Sequence, residues 1–351
     1  MRRFILKTCL FVAPFALGYV LTISFYTTAE TYDLMRIGLI PDLAGKTSDR
    51  FQEAFRRPFH FRPYAPGDTG KADVLIIGDS FSDQENYGYD NYLAESVNVL
   101  HLGRALSGNQ METLHGLING GFFDREPVRY VVLECVERDF VRIGREMDTT
   151  RVIDRAALDS MWERQVRKKP NLGYKFFSST TYKFPYEFIR YLTRHDYLSN
   201  GQTYNVDLTT DTLFSNGLDK LFFFHQDLDN TDLNNDGTAV QGLNDALNKL
   251  AHKLHDRGTG LIVLVAPDKY DAYYEFIREK QRFPRPLFFT LMDPLPKDYL
   301  YVDSKSLVTA GMGRHTDVYF PGDTHWSPFA SVAVARAIAD MVREQGGGGG
   351  Q

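Results

Sequence analysis

The sequence predicts an α/β fold, a parallel sheet with helices on both faces. Short, wholly apolar runs recur at Val74–Ile77, Tyr130–Leu133 and Leu261–Val265. A strand that is apolar on both sides is buried on both sides, as in a parallel sheet sandwiched between helices. Stretches of helical character lie between the runs, and strand–helix alternation is what such a sheet requires. With 351 residues, 43% of them hydrophobic, the chain can fill the core of one large domain.

The first 30 residues stand apart from that domain. Arg2, Arg3 and Lys7 precede an uncharged run from Thr8 to Ala29. About 20 apolar residues cross a bilayer, so residues 1–30 are expected to be a retained transmembrane anchor. The rival reading is a cleaved signal peptide, with Thr27-Thr28-Ala29 as a poor cleavage site. Basic residues before the run, with Glu30 and Asp33 after it, put the amino terminus in the cytoplasm and the rest outside. Residues 31–70 read as a juxtamembrane linker, interrupted by Arg56-Arg57-Pro58, Arg62-Pro63 and the turn signal Pro66-Gly67-Asp68.

The folded domain is expected over residues 71–345. Its elements, in order, are a strand at Val74–Ile77, a short helix around Asn91–Glu95, a strand at Val97–Leu102, a helix at Gln110–Ile118 and a strand at Arg129–Leu133. A helix at Leu243–His255, a strand at Leu261–Val265, a helical stretch at Asp271–Glu279 and a last helix at Ser327–Arg343 follow. Residues 145–240, rich in Tyr, Phe, Asn, Thr and Asp, break the rhythm and read as an insertion or cap. Residues 346–351 read as a flexible tail.

Composition excludes several functions. Forty Lys and Arg against 45 Asp and Glu leave a net charge of −5, so nothing draws nucleic acid, which needs a basic face. Of the two cysteines, Cys9 lies in the apolar segment and Cys135 has no partner in the domain. That rules out a disulfide framework and a cysteine metal site; Cys135 reads as a buried small residue. The 20 Tyr and 26 Phe belong mainly to the core, and the surplus also suits a glycan cleft in which rings stack on sugar faces.

Two motifs carry chemistry. The first apolar strand runs into Gly78-Asp79-Ser80-Phe81. A serine there can sit in a tight turn with its hydroxyl exposed and backbone N–H groups nearby for a developing oxyanion; the plainer role is a helix cap. Near the other end stands Asp323-Thr324-His325-Trp326. His325 supplies a base with an ordinary pKa near 6.5, Asp323 a carboxylate to orient it, and Trp326 a wall that excludes water. Pro321-Gly322-Asp323-Thr324 also reads as a plain turn. Together the motifs hold the three residue types of a Ser-His-Asp site. Asp232–Gly237 fits the first half of a calcium loop, but Leu243 stands at its twelfth position, so it reads as turns. His252 and His255 read as solvated, and His101 and His115 as structural. No metal and no cofactor is expected.

On these residues the chain resembles the SGNH/GDSL hydrolases, and more closely the branch of periplasmic alginate O-acetyltransferases. The resemblance rests on Gly78-Asp79-Ser80-Phe81, on Val318-Tyr319-Phe320 with Asp323-Thr324-His325-Trp326, on Glu137-Arg138 after the third strand, and on Ala266-Pro267-Asp268-Lys269-Tyr270. It covers roughly residues 70–345 and implies a flavodoxin-like three-layer α/β/α sandwich. The D-x-H spacing of Asp323 and His325 matches that branch rather than the family's usual D-x-x-H. Ser80 precedes His325, whereas alginate-type members often reverse the order. The family's G-x-N-D block is absent, and Glu134-Cys135-Val136-Glu137-Arg138-Asp139 stands in its place. Gly103 matches the family's oxyanion glycine, and a third donor is open between Asn109, Arg104 and Arg138.

The resemblance implies a membrane-anchored O-acetyltransferase acting on an extracytoplasmic glycan. Ser80, His325 and Asp323 would form the triad and an acyl-enzyme the intermediate. It further implies a glycan acceptor, an acetyl donor supplied by a membrane-bound O-acyltransferase partner, and a single-pass position in a bacterial inner membrane with the domain in the periplasm, or export if the amino terminus is cleaved. The alternatives are an acetylesterase of the same glycans and a non-catalytic SGNH-like subunit of an exopolysaccharide complex.

Overall fold

The computed structural model describes residues 1–29, 32–40, 55, 57–67, 70–167, 178–194 and 197–347. Helix α1 (Arg2–Ala29) comes first, and its stretch Arg2–Ser24, of mean hydropathy 1.9, is long and apolar enough to cross a membrane. Helix α2 (Asp33–Gly38) follows, then strands β1 (Arg62–Pro63) and β2 (Ala72–Ile77). Next come α3 (Tyr89–Leu93), β3 (Val99–Leu102), α4 (Gln110–Asn119), β4 (Val128–Val136) and α5 (Glu137–Glu146). The middle holds α6 (Arg155–Arg167), α7 (Ser179–Arg194), β5 (Leu198–Ser199), β6 (Thr203–Asp207) and β7 (Lys220–Phe224). The chain closes with α8 (Gly237–His255), β8 (Gly260–Ala266), α9 (Lys269–Tyr273), β9 (Leu300–Val302), α10 (Ser304–Met312) and α11 (Pro328–Gly347).

The main sheet has six strands in the order β1-β3-β2-β4-β8-β9, every pair parallel. Alternate residues of its strands feed two separate cores, as a doubly covered sheet demands. Leu75, Ile77, Leu133 and Val263 point to one, filled by Leu114 and Leu117 of α4 and Leu243, Leu247 and Leu250 of α8. Val74, Ile76, Val132 and Ile262 point to the other, filled by Val334, Ile338 and Val342 of α11. The fold is the expected three-layer α/β/α sandwich. Helix α8 illustrates why the elements form: Val240, Leu243, Leu247, Leu250 and Leu254 give it one buried face, and the Asp236 carboxylate caps its first turn through Thr238 and Ala239 N–H. That role also accounts for Asp236 in the former calcium-loop pattern.

The first strand in sequence to carry a motif, β2, lies between β3 and β4. The chain therefore leaves β2 to one side and returns on the other. This is the topological switch point, where open α/β sheets bind ligands at the carboxyl ends of their strands. Ile77 pairs with both Leu102 and Leu133, so Gly78, Gly103 and Glu134 share that edge.

Differences from the sequence reading have physical causes. The stretch Asp271–Glu279 is not one helix. Helix α9 starts at Lys269 and stops at Tyr273, and a single 3-10 turn follows at Tyr274–Phe276. Beyond it, Arg278 N–H donates to Asp207 O at 2.8 Å and Ile277 bridges Leu208, so pairing with the end of β6 pulls the chain straight. The middle segment contains an antiparallel sheet, β5-β6-β7. Helix α2, inside the stretch read as linker, packs on that sheet: Leu34 and Met35 are buried with Phe222, and Thr203 Oγ1 donates to Leu34 O at 2.8 Å. Much of residues 41–70 and the last residues of the tail, 348–351, lie outside the described residues.

Candidate active site

Ser80 sits in the turn that ends β2, closed by Ser82 N–H donating to Asp79 O at 3.3 Å. The Asp79 carboxylate fixes the turn from below, accepting from Phe81 N–H at 2.9 Å and Val136 N–H at 2.8 Å. Asp79 N–H in turn donates to Glu134 Oε2 at 2.8 Å. Glu134 is fully buried; burial first, and then the charge of Asp79, push its pKa well up. Gly78 is required by this closeness, because a Cβ there would lie 2.5 Å from both Glu134 Oε2 and Ser82 Oγ. The neighbouring loop is tied on by the Ser107 hydroxyl donating to Gly78 O at 2.6 Å and Arg104 N–H donating to Asp83 Oδ2 at 3.0 Å. Ser82 is buried, donates to Asp79 O at 2.9 Å and faces His101 Nε2 at 3.2 Å. Ser80 itself is half-buried, and its hydroxyl makes no hydrogen bond among the described residues.

The second motif rides on a tight hairpin, Val318 to Ser327. Tyr319 bridges Trp326, Phe320 N–H donates to His325 O at 3.2 Å, and Ser327 N–H donates to Val318 O at 2.8 Å. At its tip, Asp323 Oδ1 accepts from His325 N–H at 3.0 Å and lies 2.5 Å from His325 Nδ1. The two-residue spacing lets one carboxylate hold both the backbone and the ring. His325 Nε2 is buried and has no partner among the described residues. Burial opposes the imidazolium, but the charge and hydrogen bond of Asp323, with Asp33 and Asp79 adding, outweigh it and raise the His325 pKa. Burial likewise opposes the Asp323 carboxylate, yet His325 brings it down to about 2.

The ring of Phe81 brings the motifs together, 4.9 Å from the His325 ring and 4.9 Å from Trp326. No hydrogen bond joins Ser80 directly to His325. Trp326, expected to wall the site, is fully buried beneath Phe81 and supports the site from inside the core.

Lys269 anchors the hairpin. It is fully buried, and its ammonium donates to Phe320 O at 2.7 Å, Pro321 O at 2.8 Å and Asp323 O at 3.0 Å. Burial pushes its pKa down to about 7 against the pull of Asp323 and Asp33, while three carbonyl acceptors match the three N–H donors of the charged form.

The remaining candidates are placed as follows. Arg138 is buried and its Nη1 is held by Asp268 Oδ1 at 2.7 Å and Asp227 Oδ1 at 3.1 Å, over the Phe224 ring. Asn109 caps α4, accepting from Glu112 N–H at 2.9 Å, and its amide donates to Ile143 O at 3.4 Å. Both side chains are thus engaged elsewhere. Gly103 lies at the carboxyl end of β3, beside β2 as expected, with φ −55° and ψ 156°. That backbone suits any residue. Its added Cβ would meet Asp83 Oδ1 at 3.2 Å.

Two features escaped the sequence reading. Glu134 was visible as a lone acid in an apolar strand. Asp33 had no local signal; its Oδ1 accepts from Thr324 N–H at 2.8 Å, and its N–H donates to Asp323 Oδ2 at 3.1 Å. Asp33, Asp323 and His325 each bring one ligand-type atom within 4.8 Å of the others. With Nδ1 hydrogen-bonded to Asp323, the cluster reads as a carboxylate–imidazole pair with a second carboxylate, Asp33, beside it. A cleft of about 670 Å³ lined by Arg129, Tyr130, His255, Lys297 and Asp298 opens at the opposite, amino-terminal ends of β4 and β8 and includes neither motif.

Comparison with known families bears on the hairpin half of this site. Residues 216–351 match the SGNH hydrolase-like domain of acetyltransferase AlgX. The AlgX-like segment contains Lys269, Asp323 and His325; Ser80 lies before it. The match supports the resemblance to the alginate O-acetyltransferase branch and an acetyltransferase- or esterase-type function. No curated protein and no solved structure matches the chain.

Proposed function

We propose that the protein is a membrane-anchored extracytoplasmic O-acetyltransferase that modifies a cell-envelope glycan. Ser80 is the nucleophile, His325 the base and Asp323 the group that orients it. Ser80 Oγ attacks the acyl carbonyl as His325 Nε2 takes its proton. The donor's leaving group departs with that proton, and a sugar hydroxyl then resolves the acyl-enzyme with His325 again as base. The backbone N–H groups of Ser80 and Gly103 face the acyl oxygen. The observation that carries this reading is the imidazole itself, with one nitrogen fixed by Asp323 and the other buried beside Phe81 and without a partner among the described residues.

The position of α1 favours transfer from a membrane-delivered donor. Asp33 follows Ala29 by four residues, so the site lies within about 14 Å of the end of α1. Tyr19 of α1 stacks on Tyr182 of α7 at 5.8 Å, and α7 exposes Tyr186, Ile189 and Leu192 beside it. A glycan acceptor and a membrane-bound acyl-transfer partner complete the reading. The test is turnover of an acetyl ester by the full chain in detergent, with intact-mass detection of an acetyl adduct. Wild type should gain one acetyl group, and Ser80→Ala should gain none. Turnover by Ser80→Ala at the wild-type rate would remove the proposal. Hydrolysis that no sugar acceptor diverts would assign the esterase instead.

A further inference from the structure

We propose that Asp33, from the segment just after the membrane helix, is a positioning residue of the site, a second carboxylate that clamps the Asp323–His325 hairpin and steadies the imidazole. The role of His325 rests on the function proposed above; the clamp itself rests on geometry. Asp33 makes two hydrogen bonds to the hairpin, one in each direction. Its N–H donates to Asp323 Oδ2 at 3.1 Å, and its Oδ1 accepts from Thr324 N–H at 2.8 Å. Its Oδ2 lies 3.9 Å from His325 Nδ1, on the side of the ring already held by Asp323. Two residues on, Met35 N–H donates to Gly322 O at 3.4 Å. Side chains interlock at the same place, since a Cβ on Gly322 would sit 2.9 Å from Met35 Cγ and 3.2 Å from Tyr32 Cβ.

The clamp is seated on its other side as well. Leu34 is fully buried, Asn200 Nδ2 donates to Ile37 O at 2.8 Å, and Thr203 Oγ1 donates to Leu34 O at 2.8 Å. A short helix fixed at both faces is a built part of the site. Chemically, Asp33 adds negative charge near the imidazolium that forms during proton transfer. The groups facing it are Asp323, His325 and Lys269. Burial and the charge of Asp323 raise the Asp33 pKa to about 6, partly offset by His325, so near neutral pH it is the second member of a coupled carboxylate pair.

The experiment uses the full chain in detergent micelles, with histidine-selective NMR to follow His325 and acetyl-ester kinetics in parallel. Asp33→Asn keeps an oxygen for Thr324 N–H and is expected to fold. It should lower the His325 titration midpoint by about half a unit or more and reduce kcat about tenfold with little change in KM. Ser80→Ala should abolish turnover and leave the His325 titration in place. An unchanged His325 midpoint in Asp33→Asn would overturn the clamp's action on the ring. If Ser80→Ala keeps full turnover, the catalytic reading falls while the titration still judges Asp33. Should Asp33→Asn fail to fold, the wild-type chain decides. The ¹³Cγ resonance of Asp33 should show the His325 inflection, and a single inflection from its own carboxyl would overturn the proposal.

Discussion

The ring of Phe81 lies 4.9 Å from the imidazole of His325, and this contact joins two motifs from opposite ends of the domain. Phe81 is fully buried and is fixed through its own N–H by Asp79 at 2.9 Å. The turn that presents Ser80 and the hairpin that presents His325 therefore meet through an apolar wedge with no freedom of its own.

That arrangement separates Ser80 from Ser82. Ser80 is half-buried with a hydroxyl that makes no hydrogen bond among the described residues, whereas Ser82 is buried and bonded to Asp79 O and His101. Ser80→Ala is expected to cost about three orders of magnitude or more in acetyl-ester turnover with little change in Tm. Ser82→Ala should do the reverse, lowering stability by about 1 kcal/mol and leaving most of the activity. Equal activity loss in both variants would mean that the turn, not a nucleophile, had been measured.

The direction of the His325 shift sets the pH profile. As the proposed base, His325 works only when neutral, and its pKa is raised above the ordinary 6.5. Activity should rise with pH and reach half its plateau above 6.5, because protonated His325 persists to higher pH than a free imidazole. Asp323→Asn removes the largest raising influence. The midpoint should move down and the plateau should fall by about three orders of magnitude. A wild-type midpoint at or below 6.5, or one indifferent to Asp323→Asn, would contradict this.

How much of this was legible depended on how local each feature is. The strands β2, β4 and β8 could be read because both faces are apolar, and Asp323 with His325 because two residues of spacing bring them together. The edge strands β1 and β9 could not, since two or three residues containing Arg62 and Pro63, or Leu300 and Tyr301, carry no periodicity. Asp33 was invisible because its partners, Asp323 and Thr324, are near it only in three dimensions. Lys269 stood out only through its family-like neighbourhood; its three carbonyl acceptors are products of folding.

Glu134 offers a test of a neutral buried acid. Burial raises its pKa, which favours the neutral acid, and glutamine is the closest neutral substitute: Glu134→Gln keeps an acceptor for Asp79 N–H and should cost less than about 1 kcal/mol. Glu134→Ala leaves that N–H buried without a partner and should cost about 1–3 kcal/mol plus a cavity term. Chemical denaturation of both variants checks the order. A larger cost for glutamine than for alanine would show that the carboxyl is ionised.

Gly103 tests the oxyanion donors. Its φ of −55° accepts a side chain, and the nearest obstacle is Asp83 Oδ1 at 3.2 Å from an added Cβ. Gly103→Val should therefore fold, with local adjustment of Asp83, and lose about two orders of magnitude in acetyl transfer by crowding the carbonyl and its N–H. A folded variant with wild-type turnover would make Gly103 a plain turn residue.

Lys269 is the most exacting case, because it holds the loop that carries the proposed base, His325, without lying in the proposed triad. Its ammonium is the donor for Phe320 O, Pro321 O and Asp323 O, all on the approach to His325. Lys269→Met matches the stem in length and apolar character but removes that donor. Phe320 O keeps the Asp323 N–H at 3.3 Å, whereas the buried Pro321 O loses the ammonium, which alone costs about 1–3 kcal/mol. Arginine should not rescue it, since a fully buried pocket shaped for a compact ammonium has no room for a planar guanidinium. The expected result is a lower Tm, a kcat loss of tenfold or so, and faster hydrogen exchange at Ser327 N–H and Phe320 N–H, which close the hairpin. Unchanged exchange in that hairpin, with activity retained, would show that the loop holds its shape without Lys269 and that Asp33 and Asp323 suffice to place His325.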